Sequence, residues 1–394
     1  MPVQTGIEVL RGRDYADLRG LRVGLMTNPS AIDRALISTY RLLTAAPGLH
    51  LTALFAPEHG FAAALPDAEH VSHQTDPRTR LPVYSLYGES YRPTPEMLRA
   101  VDVLVCDIQD IGVRFYTFVW TVTHILEAAG AAGVRVLILD RPNPLGGVRV
   151  MGPLLDPTLT SFVGRVPLPV THGLTLGELA RMFNARWNPT PAELAVIPCA
   201  GWQRAQTWEQ TGLPWVPPSP NMPRLSTLAQ YPGACLIEGT TLSEGRGTAL
   251  PFEIVGAPWI DAQTLADALN AAGWGGVRFR PHTFQPTASK WAGQVCGGVQ
   301  VYITDPAQWQ PIETWLGVIQ TIRALYPDHF SWLLPGAAGV EQGTVWHFDR
   351  LIGAAAYRQR IDQGAALDDL IAGWEADTRA FRAESQAYWL YPEQ

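Results

Sequence analysis

The densest run of chemically able side chains lies at 107–118, D-I-Q-D-I-G-V-R-F-Y-T-F. Asp107 and Asp110 offer carboxylates for proton transfer or for holding a water, Arg114 a two-pronged cation, and Tyr116 an apolar ring with a polar tip. A second group is compact: P-E-H-G-F at 57–61, where Glu58 stands between Pro57 and His59, ahead of Gly60. Glu58 is expected to be partly desolvated by Phe55, Phe61 and the nearby prolines, which raises a carboxyl pKa toward the value a general acid needs near neutral pH. Splitting a glycosidic bond takes such an acid and a second carboxylate about 5–10 Å away, as nucleophile or as base for water. Asp107, Asp110, Glu238 and Glu244 all stay open as that partner. Arg114 and Arg246 lie in glycine-containing loops and can fork onto a ligand carboxylate; either can equally pair with Asp110 or Glu244 inside the protein. Glu58 too has a plainer reading, as a turn cap or the partner of an arginine.

Such residues act together only if a frame converges them. The first half of the chain alternates strand and helix. Strands are predicted at 22–26, 49–56, 82–86, 103–106 and 135–139, with helices at 37–45, 95–101 and 118–131 between them. Right-handed crossovers put the carboxyl ends of consecutive parallel strands on one side of the sheet, where open α/β sheets bind ligands. Asn28, Glu58, Asp107, Asp110 and Asp140, followed by Arg141 in D-R-P-N-P at 140–144, all fall at or just past such ends. The expected architecture is α/β: a Rossmann-like parallel sheet over 1–160, then a smaller α/β (α+β) domain over 161–394. The second stretch opens with a helix at 175–187, capped by Thr175 and Glu178 in a capping box. Long polar loops follow at 215–223, which includes Asn221, and at 238–248; loops of this length in a compact domain usually carry function. Beyond them come a helix near 262–272, strands at 277–280 and 298–304, a helix at 312–325 and a helical tail from 349. No G-x-G-x-x-G follows the first strand and no G-x-x-x-x-G-K-[ST] occurs, so a dinucleotide or P-loop site is excluded.

Composition narrows the class. Of 394 residues, 47% are hydrophobic and 16% charged, as in a globular chain with a large core. The net charge of −7, without a basic run, argues against nucleic acid as a partner. No apolar stretch approaches the ~20 residues of a membrane span. The N-terminal residues lack the basic and apolar regions of a signal peptide, which points to the cytoplasm or to an exported protein whose signal is absent from this sequence. Four scattered cysteines read as buried thiols and not as a disulfide frame. The histidines His59, His70, His73 and His172 fit no zinc spacing. Fourteen tryptophans and 33 prolines describe aromatic-bearing loops of the sort that grip sugars.

Longer motifs identify a resemblance. Besides P-E-H-G-F, D-I-Q-D-I-G-V-R-F-Y-T-F and D-R-P-N-P, the chain contains Y-S-L-Y-G at 84–88, S-F-V-G at 161–164 and H-G-L-T-L-G-E-L-A at 172–180. P-S-P-N-M-P at 218–223 and E-G-T-T-L-S-E-G-R-G-T at 238–248 complete the set. In this order and over essentially the whole chain, they resemble the bacterial DUF1343 family, the NamZ-type exo-β-N-acetylmuramidases of glycoside hydrolase family 171. The resemblance implies a Rossmann-like domain beside a smaller one with the active site in the cleft between them. It further implies release of non-reducing-end N-acetylmuramic acid from peptide-free peptidoglycan fragments (substrates of MurNAc-GlcNAc type), without metal or other cofactor. It carries the catalytic role onto Glu58; beside it, Asp107 or Asp110, ahead of Glu244, is expected as the second carboxylate or to position water. The contacts expected with substrate are then Asn28, His59, Arg114, Tyr116, Asp140, Arg141, Asn221, Glu238, Glu244 and Arg246, of which Arg114 or Arg246 would bind the lactyl carboxylate. Two departures stand out. Ala62 and Ala63 follow Phe61 where the family continues with arginine and glycine, and Glu69 stands where glycine is common. The lost basic residue leaves room for a non-catalytic sugar-binding protein on the same scaffold; a metal-dependent hydrolase is the other alternative.

Overall fold

The structure, a computed structural model, describes residues 2–65, 69, 72–334 and 344–393. It forms two compact units. The first contains Met1–Val150, His172–Pro223 and Arg382–Gln394, and the second Met151–Thr171 with Arg224–Phe381. The division expected at residue 160 does not coincide with these units: 172–223 and 382–394 belong with the first. The cause is a strand in the proline-rich stretch that the sequence reading assigned to the second domain.

That strand is the last of seven in the first unit: β1 Arg22–Thr27, β2 His50–Ala56, β3 Gln74–Thr75, β4 Pro82–Ser85, β5 Val103–Asp107, β6 Arg135–Leu139 and β7 Leu194–Ile197. Their order is β3-β4-β2-β1-β5-β6-β7, parallel except that β3 runs antiparallel to β4. Helices α1 Gly6–Gly12, α2 Thr39–Ala45, α3 Pro95–Leu98, α4 Phe118–Ala132, α5 Leu176–Arg186 and α6 Trp208–Thr211 belong to the same unit. Every residue of β5 is buried, the pattern of a central strand covered on both faces. Val103 and Val105 join Val23, Leu25, Leu54 and Leu139 in one apolar cluster with Ile7, Leu10 and Leu43. Leu104 and Cys106 point the opposite way by strand alternation and are just as buried. Burying one such side chain contributes about 1.5–3 kcal/mol, so this double-faced core holds the strand ends rigidly. Helix α4 stops where Gly133 takes a left-handed φ of 67°. Helix α5 begins with the expected capping box of Thr175 and Glu178.

The second unit is built on a three-stranded antiparallel sheet in the order β8-β10-β9, from β8 Ile254–Ala257, β9 Val277–Phe284 and β10 Cys296–Ile303. It also contains α7 Leu225–Ala234, α8 Ala262–Ala271, α9 Pro311–Leu325 and short helices between His347 and Ala372. Strand β9 runs four residues past its expected end, through Pro281. An edge strand tolerates a proline because one row of its amides has no sheet partner, and β9 pairs with β10 alone. All four cysteines are free and buried. Among the described residues no helix is long and apolar enough to cross a membrane.

Candidate active site

In the first unit the strand register aligns the candidate loops. Met26 pairs with Phe55 and Thr27 with Asp107, so the chain leaves β1, β2 and β5 at one level. After β2, Gly60 N–H bonds the Pro57 carbonyl (3.0 Å) in a tight turn. His59 sits in that turn at a left-handed φ of 67°, with its Nδ1 2.8 Å from the Leu65 carbonyl oxygen. The turn leaves Glu58 only 7% exposed. The Thr117 hydroxyl donates to Glu58 Oε2 at 2.5 Å. Thr117 is the residue immediately before α4, so the loop after β5 returns to the end of β2 and touches the candidate acid. The sequence reading passed over Thr117, although it lies inside the R-F-Y-T-F motif.

The acids at the strand ends divide sharply. Asp107 is fully buried, and Arg141 grips both its oxygens, Nε to Oδ1 at 2.6 Å and Nη2 to Oδ2 at 3.1 Å. The Thr39 hydroxyl also donates to Asp107 Oδ2, and Arg141 Nη1 donates to the Ile32 carbonyl (3.0 Å). A carboxylate held by a two-point guanidinium fork is a structural anion, and the Arg141 fork is spent on it. Asp140 is equally occupied: it accepts from Thr175 Oγ1 (2.7 Å), Gly177 N–H (2.9 Å) and Tyr391 Oη–H (2.5 Å). Burial nonetheless pushes its pKa up to about 6, against the pull of those bonds. A side chain on Gly177 would clash with the Asp140 carboxyl at 2.8 Å, so glycine is required where α5 meets this acid.

Asp110 differs from both. It is 5% exposed, accepts from Gly112 N–H at Oδ2 (2.7 Å), and its Oδ1 has no hydrogen-bond partner among the described residues. Burial pushes its pKa up to about 7, with the Gly112 and Ile111 amides opposing. Gly112 has a left-handed φ of 76°, and a Cβ there would lie 2.4 Å from Asn143 Oδ1, so only glycine fits the bend.

Asn28 is a tie between loops. Its Nδ2 donates to the Pro218 carbonyl (3.0 Å), while Ser30 Oγ donates to its Oδ1 (2.5 Å) and accepts from Gln109 N–H (3.1 Å). Arg114 is wholly buried, and burial lowers its pKa to about 9. Tyr116 is buried edge-on to Phe118, ring centroids 4.9 Å apart. Asn221 is half-buried in the turn closed by Met222 N–H on the Ser219 carbonyl (3.1 Å).

The second unit holds the other three expected residues as one charge network. Arg246 Nη1 donates to Glu238 Oε1 at 2.6 Å and to Glu244 Oε1 at 3.2 Å. Lys290 Nζ lies 2.8 Å from Glu244 Oε2 and donates to the carbonyls of Ile237 and Thr240, both at 3.0 Å. Burial works to raise both carboxyls, yet Arg246 and His347 hold Glu238 well below the usual range, and Lys290 and Arg246 lower Glu244. Lys290 and His347 lay outside the sequence motifs, and nothing local in the sequence signals them.

Metal-site geometry does not emerge: among the described residues no three His, Cys, Asp or Glu side chains gather to hold an ion. His70 lies outside the described residues. His73 Nδ1 accepts from Ser85 N–H (2.9 Å), and His172 Nδ1 from Leu174 N–H (3.1 Å). What the first unit can do chemically is proton transfer at a strand end, with Glu58 held by a hydroxyl and Asp110 in no ion pair among the described residues.

Known proteins bear on these residues. The model of the N-terminal domain of the exo-β-N-acetylmuramidase NamZ matches residues 23–226, and that of its C-terminal domain matches 229–391. The chain is 43% identical over 389 residues to the peptidoglycan β-N-acetylmuramidase NamZ of Bacillus subtilis, covering 99% of this chain and 91% of that protein. A crystal structure of a DUF1343 family protein from Bacteroides fragilis superposes with a TM-score of 0.90 at 38% identity over 99% of both chains. A second from the same organism gives 0.77 at 29% identity over the full length of both. Two domain models spanning nearly the whole sequence, and a relative at this identity, place the chain in the exo-β-N-acetylmuramidase NamZ family.

Proposed function

We propose that the chain is an exo-acting glycosidase that releases N-acetylmuramic acid from the non-reducing end of peptide-free peptidoglycan fragments. Glu58 is its general acid and Asp110 its second carboxyl group. Family membership supports the reaction. The assignment of residues rests on one observation, the division among the acids: Asp107 and Asp140 are saturated by internal donors, whereas Asp110 keeps an oxygen without a partner. Glu58 gives its proton to the leaving oxygen as the glycosidic bond breaks, and a water positioned with the help of Asp110 supplies the oxygen that ends on the anomeric carbon, its proton passing to a carboxylate. Of the two arginines expected at the lactyl carboxylate, Arg246 is already engaged by two glutamates, which supports a structural role for it. Action in the cytoplasm belongs to the same proposal; four free buried thiols agree with a reducing compartment.

The test is sugar release from a chromogenic N-acetylmuramide and the matching N-acetylglucosaminide. The wild type should cleave the muramide alone. Glu58→Gln should lose about 10²–10⁴-fold in kcat, the usual contribution of a positioned acid, with an unchanged unfolding midpoint. A variant that keeps near wild-type turnover would remove Glu58 from the mechanism.

A further inference from the structure

His172 is 1% exposed, and its Nδ1 accepts the Leu174 amide hydrogen. That bond fixes the tautomer, because the accepting nitrogen carries no proton and Nε2 must carry it. Burial first, then Arg204 and Arg114, lowers the imidazole pKa to about 3, so the ring is neutral at any working pH. Its Nε2–H nevertheless has no hydrogen-bond partner among the described residues. A buried polar group in that condition calls for an explanation.

The same loop cluster contains the complementary group. His172 N–H bonds the Gly112 carbonyl (3.4 Å), and Gly112 N–H bonds Asp110 Oδ2 (2.7 Å). Asn143 Nδ2 bonds the Leu174 carbonyl (3.0 Å) and its amide packs against the Gly112 α-carbon, which locks the cluster together. One bend of backbone thus positions an acceptor, Asp110 Oδ1, and a donor, His172 Nε2–H, each without a partner and not bonded to one another. Among the described residues both are unsatisfied, and a third group that offers a donor and an acceptor would satisfy the two together. Their burial does not set them apart from the candidate centre, since Glu58 is itself only 7% exposed.

We propose that Asp110 and His172 together bind the 2-acetamido group of the sugar, Asp110 Oδ1 accepting from its N–H and His172 Nε2–H donating to its carbonyl oxygen. The inference rests on the muramidase reading above and deepens it. A trans amide points its N–H and C=O to opposite sides, so two protein groups that do not touch can each take one of them. The lactyl carboxylate does not suit the pair, because it has no N–H to give to an acceptor. Asp110 and His172 touch the substrate in this arrangement, and they select for the acetamido group.

The test compares two chromogenic substrates, the N-acetylmuramide and its analogue with a 2-hydroxyl in place of the acetamido group. Wild type, His172→Phe, His172→Gln and Asp110→Asn are each assayed for kcat/KM on both, beside their unfolding midpoints. His172→Phe removes the donor and should lower kcat/KM on the N-acetylmuramide about tenfold to a hundredfold, and far less on the analogue. His172→Gln retains an N–H and should recover most of the loss. Asp110→Asn also alters the second carboxyl group of the proposed reaction, so it should lower kcat/KM on both substrates but more on the N-acetylmuramide, and that excess carries the comparison if His172→Phe does not fold. Equal falls on both substrates, or no rescue by glutamine, would overturn the proposal while leaving the muramidase reading intact. A wild type inactive on the N-acetylmuramide would overturn both.

Discussion

Two loops of this protein are dense in acids, and they treat them in opposite ways. The 238–248 loop gives Glu238 and Glu244 to Arg246 and Lys290, so both carboxyls are held below their usual range in spite of burial. The loop after β5 leaves Asp110 with backbone amides alone, and burial pushes it up to about 7. By sequence the loops look alike, each with two acids, an arginine and at least one glycine. The difference teaches that a buried acid is assigned by what neutralises it. A cation nearby makes an anchor that stays charged; its absence makes a group poised to exchange a proton near neutral pH.

The comparison breaks first at Arg246. Removing it leaves buried Glu244 and part-buried Glu238 short of a cation, so Arg246→Met should cost about 3 kcal/mol of stability in denaturant unfolding. A stable variant with a raised KM for muramides would show that the 238–248 loop works on substrate after all. A smaller effect separates the loops by pH. Folded Asp110 keeps its proton to about pH 7, whereas the unfolded group loses it near 3.8. Between those values the folded state binds more protons, so this residue's contribution to stability falls as pH rises. Asp110→Asn should therefore gain on the wild type across that window by up to about 1.4 kcal/mol per pH unit. An unfolding difference flat from pH 4 to 7 would put Asp110 among the anchored acids. The smallest effect is expected at Thr117, where valine removes one hydroxyl from Glu58. About 1 kcal/mol, or roughly fivefold in kcat/KM, should be lost with little change in unfolding. A larger loss of stability than of rate would make Thr117 a helix cap and nothing more.

Much of the frame was legible. Hydrophobic runs ending in Asn28, Glu58, Asp107 and Asp140 gave the parallel strands, because buried central strands have few alternative readings. Leu194–Ile197 escaped because an edge strand, three of its four residues half-buried, carries a weak pattern. The site was legible as a set of residue types and not as a division of labour. Asp107 and Asp110 stand three positions apart in one motif, and nothing local says that Arg141 claims the first. Least legible of all was Tyr391, which completes the bonding of Asp140 from 251 residues away.

That last contact belongs to a wider closure. Leu390 N–H bonds Glu178 Oε1 (2.8 Å), the Pro392 carbonyl accepts from Arg204 N–H (3.1 Å), and Arg204 stacks over Trp389 at 3.9 Å. Segment Arg382–Gln394 thus completes a unit whose other pieces end at Pro223. On the ribosome, Arg224–Phe381, the larger piece of the second unit, is made in between, a delay of roughly ten to thirty seconds at ordinary elongation rates. The strands that lead to Glu58 and Asp110 emerge early, but the donors that settle Asp140 and Glu178 follow only with Leu390 and Tyr391. The order of synthesis therefore acts as a timer: the first unit is complete only after the second has been built.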